Sequence, residues 1–152
     1  MIKYILISLF FVACNNFQKN DAIKNVESIT HRTISNDTLI SYTIEGISSE
    51  GAESIVRYVN NKIFESTTTL YIGTGQISVK YYFEKNKVKV NEMHYYYKTE
   101  IENVQSKEDM QLNKELNYYL DLKGSVIGDE VYDKTDIFQE FKKEIPFEIG
   151  NG

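Results

Sequence analysis

Between about Thr38 and Tyr132 apolar and polar residues alternate in short runs, with the period of two that marks a strand burying one face. Ile77, Val79, Tyr81 and Phe83 alternate with polar partners in Gln76-Ile77-Ser78-Val79-Lys80-Tyr81-Tyr82-Phe83-Glu84. Leu116, Tyr118, Leu120 and Leu122 repeat the pattern, as do Ile40, Tyr42 and Ile44. Phe64, Leu70 and Ile72 are expected to share a face with Ser66 and Thr68, a Thr-rich run that suits a sheet better than a helix. Asn60-Asn61-Lys62, Gly73-Thr74-Gly75, Lys85-Asn86-Lys87 and Lys123-Gly124-Ser125 separate the runs and are hairpin-length breaks. Parallel pairing needs crossovers of a dozen residues or more. The expected fold class is therefore mainly β, a β-rich α+β domain, built on an antiparallel up-and-down meander sheet of about six to seven strands.

In 88–97 the apolar phase slips, because Val88 and Val90 are even-numbered while Met93, Tyr95 and Tyr97 are odd. One extra residue near Asn91-Glu92 would keep both sets on the core, which predicts a β-bulge there. Ile137, Phe138, Phe141 and Ile145 recur at helical spacing, predicting a helix over 134–145, capped by Asp133 or Thr135, stopped by Pro146 and packed on one face of the sheet. Residues 103–113 are polar and read as a long loop or a helical insertion. Residues 22–34 fit either a short helix or a first strand.

The chain opens differently. Lys3 precedes the apolar run 5–13, which ends at Ala13 before Cys14, the only cysteine of the 152 residues. A charged start, a short apolar stretch and a small residue before the break are the parts of a secretory signal. The run is shorter than the ~20 residues a spanning helix needs. Phe11-Val12-Ala13-Cys14 resembles the lipobox of bacterial lipoproteins, although Phe11 stands where the family commonly has Leu. The resemblance implies cleavage between Ala13 and Cys14, acylation of Cys14 with diacylglycerol and a palmitate-type chain, and anchoring in a lipid bilayer. Asn15 does not match the aspartate that retains such proteins at the inner membrane, so the outer membrane is the expected address. The organisation that follows is a signal peptide at 1–13, a lipidated tether at 14–21 and one domain at 22–149.

Without Lys3 the mature chain keeps 16 of the 17 basic residues against 22 acidic ones, a net charge of −6. Its lysines are scattered among carboxylates, with no basic stripe for a phosphate backbone, so no nucleic-acid partner is expected. With no second cysteine an internal disulfide is impossible and stability must come from core burial.

Catalytic and metal chemistry find little support. His31 and His94 form no spaced pair, and a tetrahedral zinc site needs four ligands. No Gly-x-Ser-x-Gly elbow occurs, and Gly73-Thr74-Gly75 is a turn and not a phosphate cradle. Glu45, Glu50 and Glu53 read as solvated loop acids, and Asp129, Glu130 and Asp133 lack the spacing of a calcium loop. No catalytic residue, metal or cofactor is assigned.

Tyrosine is the conspicuous residue, twelve in all with no tryptophan. In pairs such as Tyr81-Tyr82 and Tyr118-Tyr119 one ring falls on each face, and Tyr82, Tyr96 and Tyr119 are expected to project from the face opposite the core. Rigid rings with a hydroxyl handle suit recognition surfaces. The stretch from about 45 to 132 resembles the tyrosine-rich β-meander lipoproteins of Bacteroidota, a likeness that implies no activity. The expected function is a non-catalytic, membrane-anchored binding or accessory module for an envelope protein, peptide or glycan. The alternatives are an inhibitor or immunity lipoprotein against a hydrolase or toxin and, more weakly, an envelope-polymer hydrolase.

Overall fold

A computed structural model describes residues 36–150. The signal peptide, Ala13, Cys14, the tether, the 22–34 segment and His31 lie outside the described residues. Seven strands follow one another in chain order and in space: β1 (Asp37–Thr43), β2 (Ala52–Val59), β3 (Lys62–Ile72), β4 (Gly75–Phe83), β5 (Lys87–Tyr97), β6 (Met110–Asp121) and β7 (Val126–Ile127). Every neighbouring pair is antiparallel. The sheet is the expected up-and-down meander, open and not closed into a barrel, with one helix, α1 (Phe138–Glu144), after it.

Local chemistry sets the hairpins. The β2–β3 turn is the two-residue pair Asn60-Asn61, both at positive φ (51° and 65°), the type I′ geometry whose twist matches its strands and which asparagine tolerates. At the start of β4, Gly75 has no room for a side chain, since a Cβ there would lie 1.9 Å from the Tyr95 carbonyl oxygen. The β5–β6 connection carries two 3-10 turns, Ile101–Asn103 and Lys107–Asp109. β6 begins at Met110, inside the segment read as loop, because Met110, Gln111 and Leu112 pair with Tyr97, Tyr96 and Tyr95.

The core lies on one face of the sheet. Val56, Tyr58, Leu70, Val79, Tyr81, Val88, Val90, Tyr118 and Leu120 are buried there against Ile137, Phe138, Phe141 and Ile145. The Tyr81 ring meets Phe138 and Phe141 edge-on, with centroids 5.3 and 5.0 Å away. A seven-residue helix is unstable in isolation, and burying two Phe side chains at about 1.5–3 kcal/mol each supplies what its length cannot. The segment after it is tied to the β2–β3 hairpin. Tyr58 Oη donates to the Pro146 carbonyl (2.9 Å), Ile63 N to that of Phe147 (2.8 Å), and Ile149 N to that of Asn61 (2.9 Å).

Four expectations need correction. β5 runs from Lys87 to Tyr97 against β4 with no register shift, so no bulge exists at Asn91-Glu92. The two irregularities lie elsewhere, between Arg57 and Tyr58 against β3 and between His94 and Tyr95 against β6, where the extra residues are Phe64 and Asn113. The first sets Ile63 opposite Tyr58 and leaves Phe64 46% exposed, off the face it was expected to share with Leu70. Leu122 follows the last residue of β6 and is exposed. The helix starts at Phe138, four residues late, and its N-cap Ile137 makes no side-chain cap bond. Thr135, expected to cap it, is engaged by the sheet instead.

Candidate functional site

On the face away from α1 the register aligns residues across all seven strands in one row: Leu39, Arg57, Glu65, Tyr82, Lys89, Tyr119 and Ile127. Tyr82 and Tyr119, singled out from sequence, thus flank Lys89 on either side. Their rings are held by ammonium groups, Lys80 Nζ lying 4.8 Å from the Tyr82 centroid and Lys87 Nζ 3.9 Å from that of Tyr119. The contact with Tyr82 comes first among the causes that raise the Lys80 pKa, partial burial opposing it.

Most charges around this row are paired. Lys80 is 3.8 Å from Glu65, Lys87 is 3.4 Å from Glu84, and Arg57 makes a two-pronged contact with Asp37 (2.9 and 2.6 Å). That guanidinium holds the Asp37 carboxyl below the ordinary carboxylate range. Lys89 is exposed and has no carboxylate partner among the described residues. One row further on, Asn91 Nδ2 donates to Glu115 Oε1 (2.7 Å) and Asn117 Oδ1 (3.0 Å), and Asn117 Nδ2 donates to Glu115 Oε1 (3.4 Å). Tyr82, Glu84, Lys89, Asn91 and Asn117 line a shallow concavity of about 470 Å³.

Tyr96 does not join them. It pairs with Gly75 in the register that sets His94 opposite Ile77 and Val90 opposite Tyr81, which places it on the core side of the sheet, at an end where it is 51% exposed. Tyr95 takes the open face with Tyr71, in a row with Gln76 and Leu112. Tyr95 Oη donates to Met93 Sδ (3.2 Å) and Tyr71 Oη to Glu53 Oε1 (3.0 Å). Partial burial, then the bond to Glu53, raises the Tyr71 pKa. Sequence reasoning missed Tyr95 because the bulge assumed at Asn91-Glu92 inverted every facing after it, whereas Tyr71 precedes that point and its facing follows from the alternation with Leu70 and Ile72.

The unbroken register has a second consequence, the complete burial of Glu92 on the core side. All of its acceptor capacity is engaged. Thr135 donates from its backbone N (2.9 and 3.1 Å to the two oxygens) and from Oγ1 (2.6 Å), and Tyr118 Oη donates at 3.0 Å. His94 Nε2 lies 2.5 Å from Oε1, an ion pair whenever the imidazole is protonated. Desolvation, then the Glu92 charge, raises the Tyr118 hydroxyl far above the phenol range, so it stays a donor. His94, read as an outer-face residue beside the tyrosine run, belongs to this buried network.

The remaining acids stay apart. Glu45 and Glu50 are exposed in the β1–β2 connection, and Glu53 is committed to Tyr71. Asp129 and Glu130 are exposed, and Asp133 offers its carbonyl to Lys114 Nζ (2.8 Å). Among the described residues no group of three His, Cys, Asp or Glu side chains could hold a metal ion, and no helix is long and apolar enough to cross a membrane. No protein-family model, curated protein or solved structure matches the chain.

Proposed function

We propose that this chain is a lipid-anchored lipoprotein of the bacterial cell envelope, held at the outer membrane through acylated Cys14, whose domain binds an envelope component and carries out no catalysis. The sequence 11–14 supports the anchor through its resemblance to a lipobox. The observation that carries the binding role is the division of labour between the two sheet faces. One face is consumed by α1 and the core, while the other presents Tyr82, Lys89 and Tyr119 in one row beside the mutually bonded Asn91, Glu115 and Asn117. Side chains fixed by one another lose little freedom when a ligand arrives, which favours recognition.

Two measurements in living cells test this. Alkyne-palmitate fed to expressing cells should label the full chain and fail to label the Cys14→Ser variant. A photoreactive benzoylphenylalanine at position 119 should form an adduct with an envelope component, and the same group at position 96 should not. An unlabelled wild type overturns the anchor, and adducts from position 96 but none from 119 overturn the binding face.

A further inference from the structure

We infer that the concavity beside Tyr82 is a binding site for a neutral glycan, at least two sugar units of an uncharged polysaccharide lying across strands β4 to β6. The inference rests on the binding role above and names the class of ligand. Its lining holds one ammonium, Lys89, one carboxylate, Glu84, which Lys87 pairs, and two amides, Asn91 and Asn117, both bonded to the Glu115 carboxylate, so the two cations and two anions cancel. No net charge is offered to a phosphate chain or a polyanion. The acceptor oxygens these bonds leave over, Asn91 Oδ1 among them, and the Lys89 ammonium suit the hydroxyls of a pyranose, which both donate and accept.

The side chains are also set in advance. Asn91 spends its amide hydrogens on Glu115 and Asn117, which turns its carbonyl oxygen away from them, while Lys89 Nζ has no carboxylate partner among the described residues. Tyr82 and Tyr119 stand on β4 and β6 with Lys89 of β5 between them. Strand spacing sets the two side chains roughly 9–10 Å apart, close to the repeat of two β-1,4-linked pyranoses. An ammonium against each ring fixes its tilt, and a tyrosine ring fixed in this way is a platform for the C–H face of a sugar. A protein partner would draw on the exposed apolar residues of the same face, Leu39, Ile55 and Phe64 toward the β1 edge and Leu112 and Ile127 on β6 and β7, and none of these lines the concavity.

The test titrates the detergent-solubilised lipidated protein, labelled with nitrogen-15, with cellohexaose, xylohexaose, mannohexaose, laminarihexaose and chitohexaose, with a polygalacturonate oligomer as the acidic comparison. At least one neutral hexasaccharide should shift the side-chain amides of Asn91 and Asn117. Tyr82→Leu, Tyr119→Leu and Asn117→Ala should each weaken its binding roughly ten-fold, and Tyr96→Leu should leave it unchanged. Asn117 is exposed, so its variant keeps the test sound if a ring substitution impairs folding. Shifts from the acidic oligomer alone, or none at millimolar sugar, overturn the glycan assignment. If adducts at position 119 still form in cells in that case, the binding role stands with another ligand; if they too are missing, both fall.

Discussion

Glu92 lies on β5 and Thr135 forty-three positions away, and the carboxylate accepts from that residue's N–H and hydroxyl as well as from Tyr118 and His94. A buried carboxylate is costly unless its oxygens are satisfied, and here the satisfaction ties the segment before α1 to the middle of the sheet. Removing it would strand three or four donors at once. Glu92→Ala should therefore cost about 3 kcal/mol, read as a lower urea midpoint with an unchanged slope. A loss below about 1 kcal/mol would mean that water satisfies these groups. None of this was legible in the sequence, where Glu92 sat at a break in the apolar phase and its partner was assigned to a helix cap. A local pattern registers that a polar residue interrupts a face, yet carries no record of a donor brought there from a distant segment.

At the scale of elements, alternation in β4 and β6 and the Ile137, Phe138, Phe141 spacing led directly to strands and helix, because those residues follow one period and one core. β5 misled because its periodicity is real on both faces. Val88 and Val90 point to the core, whereas Met93 and Tyr95 point to the open side, and tyrosine is at home on either. The assumption that apolar residues stay together produced a bulge, and that bulge alone misplaced Tyr96, Tyr95 and His94. Phe64 failed for the complementary reason, an actual bulge with no mark in the pattern. The Asn60-Asn61 turn was legible as a break and its type follows from the residues. Asn60→Val should destabilise the fold by about 1–2 kcal/mol, the cost of a left-handed backbone at a branched residue, while Asn60→Gly should be neutral or better. Equal midpoints in thermal melts of the two variants would refute the turn assignment.

The described domain is a sheet with one committed face. Its tyrosines divide accordingly, Tyr58, Tyr81 and Tyr118 within the core or its polar network and Tyr71, Tyr82, Tyr95 and Tyr119 on the open side. Desolvation is the first cause that raises the pKa of Tyr58, Tyr81 and Tyr118 above the ordinary phenol value. A folded pKa above the unfolded one means that these hydroxyls contribute fully below the unfolded value near 10. That contribution is lost as pH rises toward the folded value. Absorbance at 295 nm should therefore show Tyr58, Tyr81 and Tyr118 ionising only together with loss of the fold. A single smooth transition with retained structure would contradict the assignment.

The account depends on which residues of β5 face which side, and cross-strand nuclear Overhauser contacts between α-protons of β4 and β5 report this most directly. Contacts joining Ile77 to His94 and Val79 to Glu92, continuing in step to Tyr81 and Val90, the non-hydrogen-bonded pairs whose α-protons face each other, are the expected result. A shift of one residue beyond Asn91, with Ile77 facing Tyr95 in place of His94, would return Tyr95 to the core side, release Glu92 from its network and contradict the account.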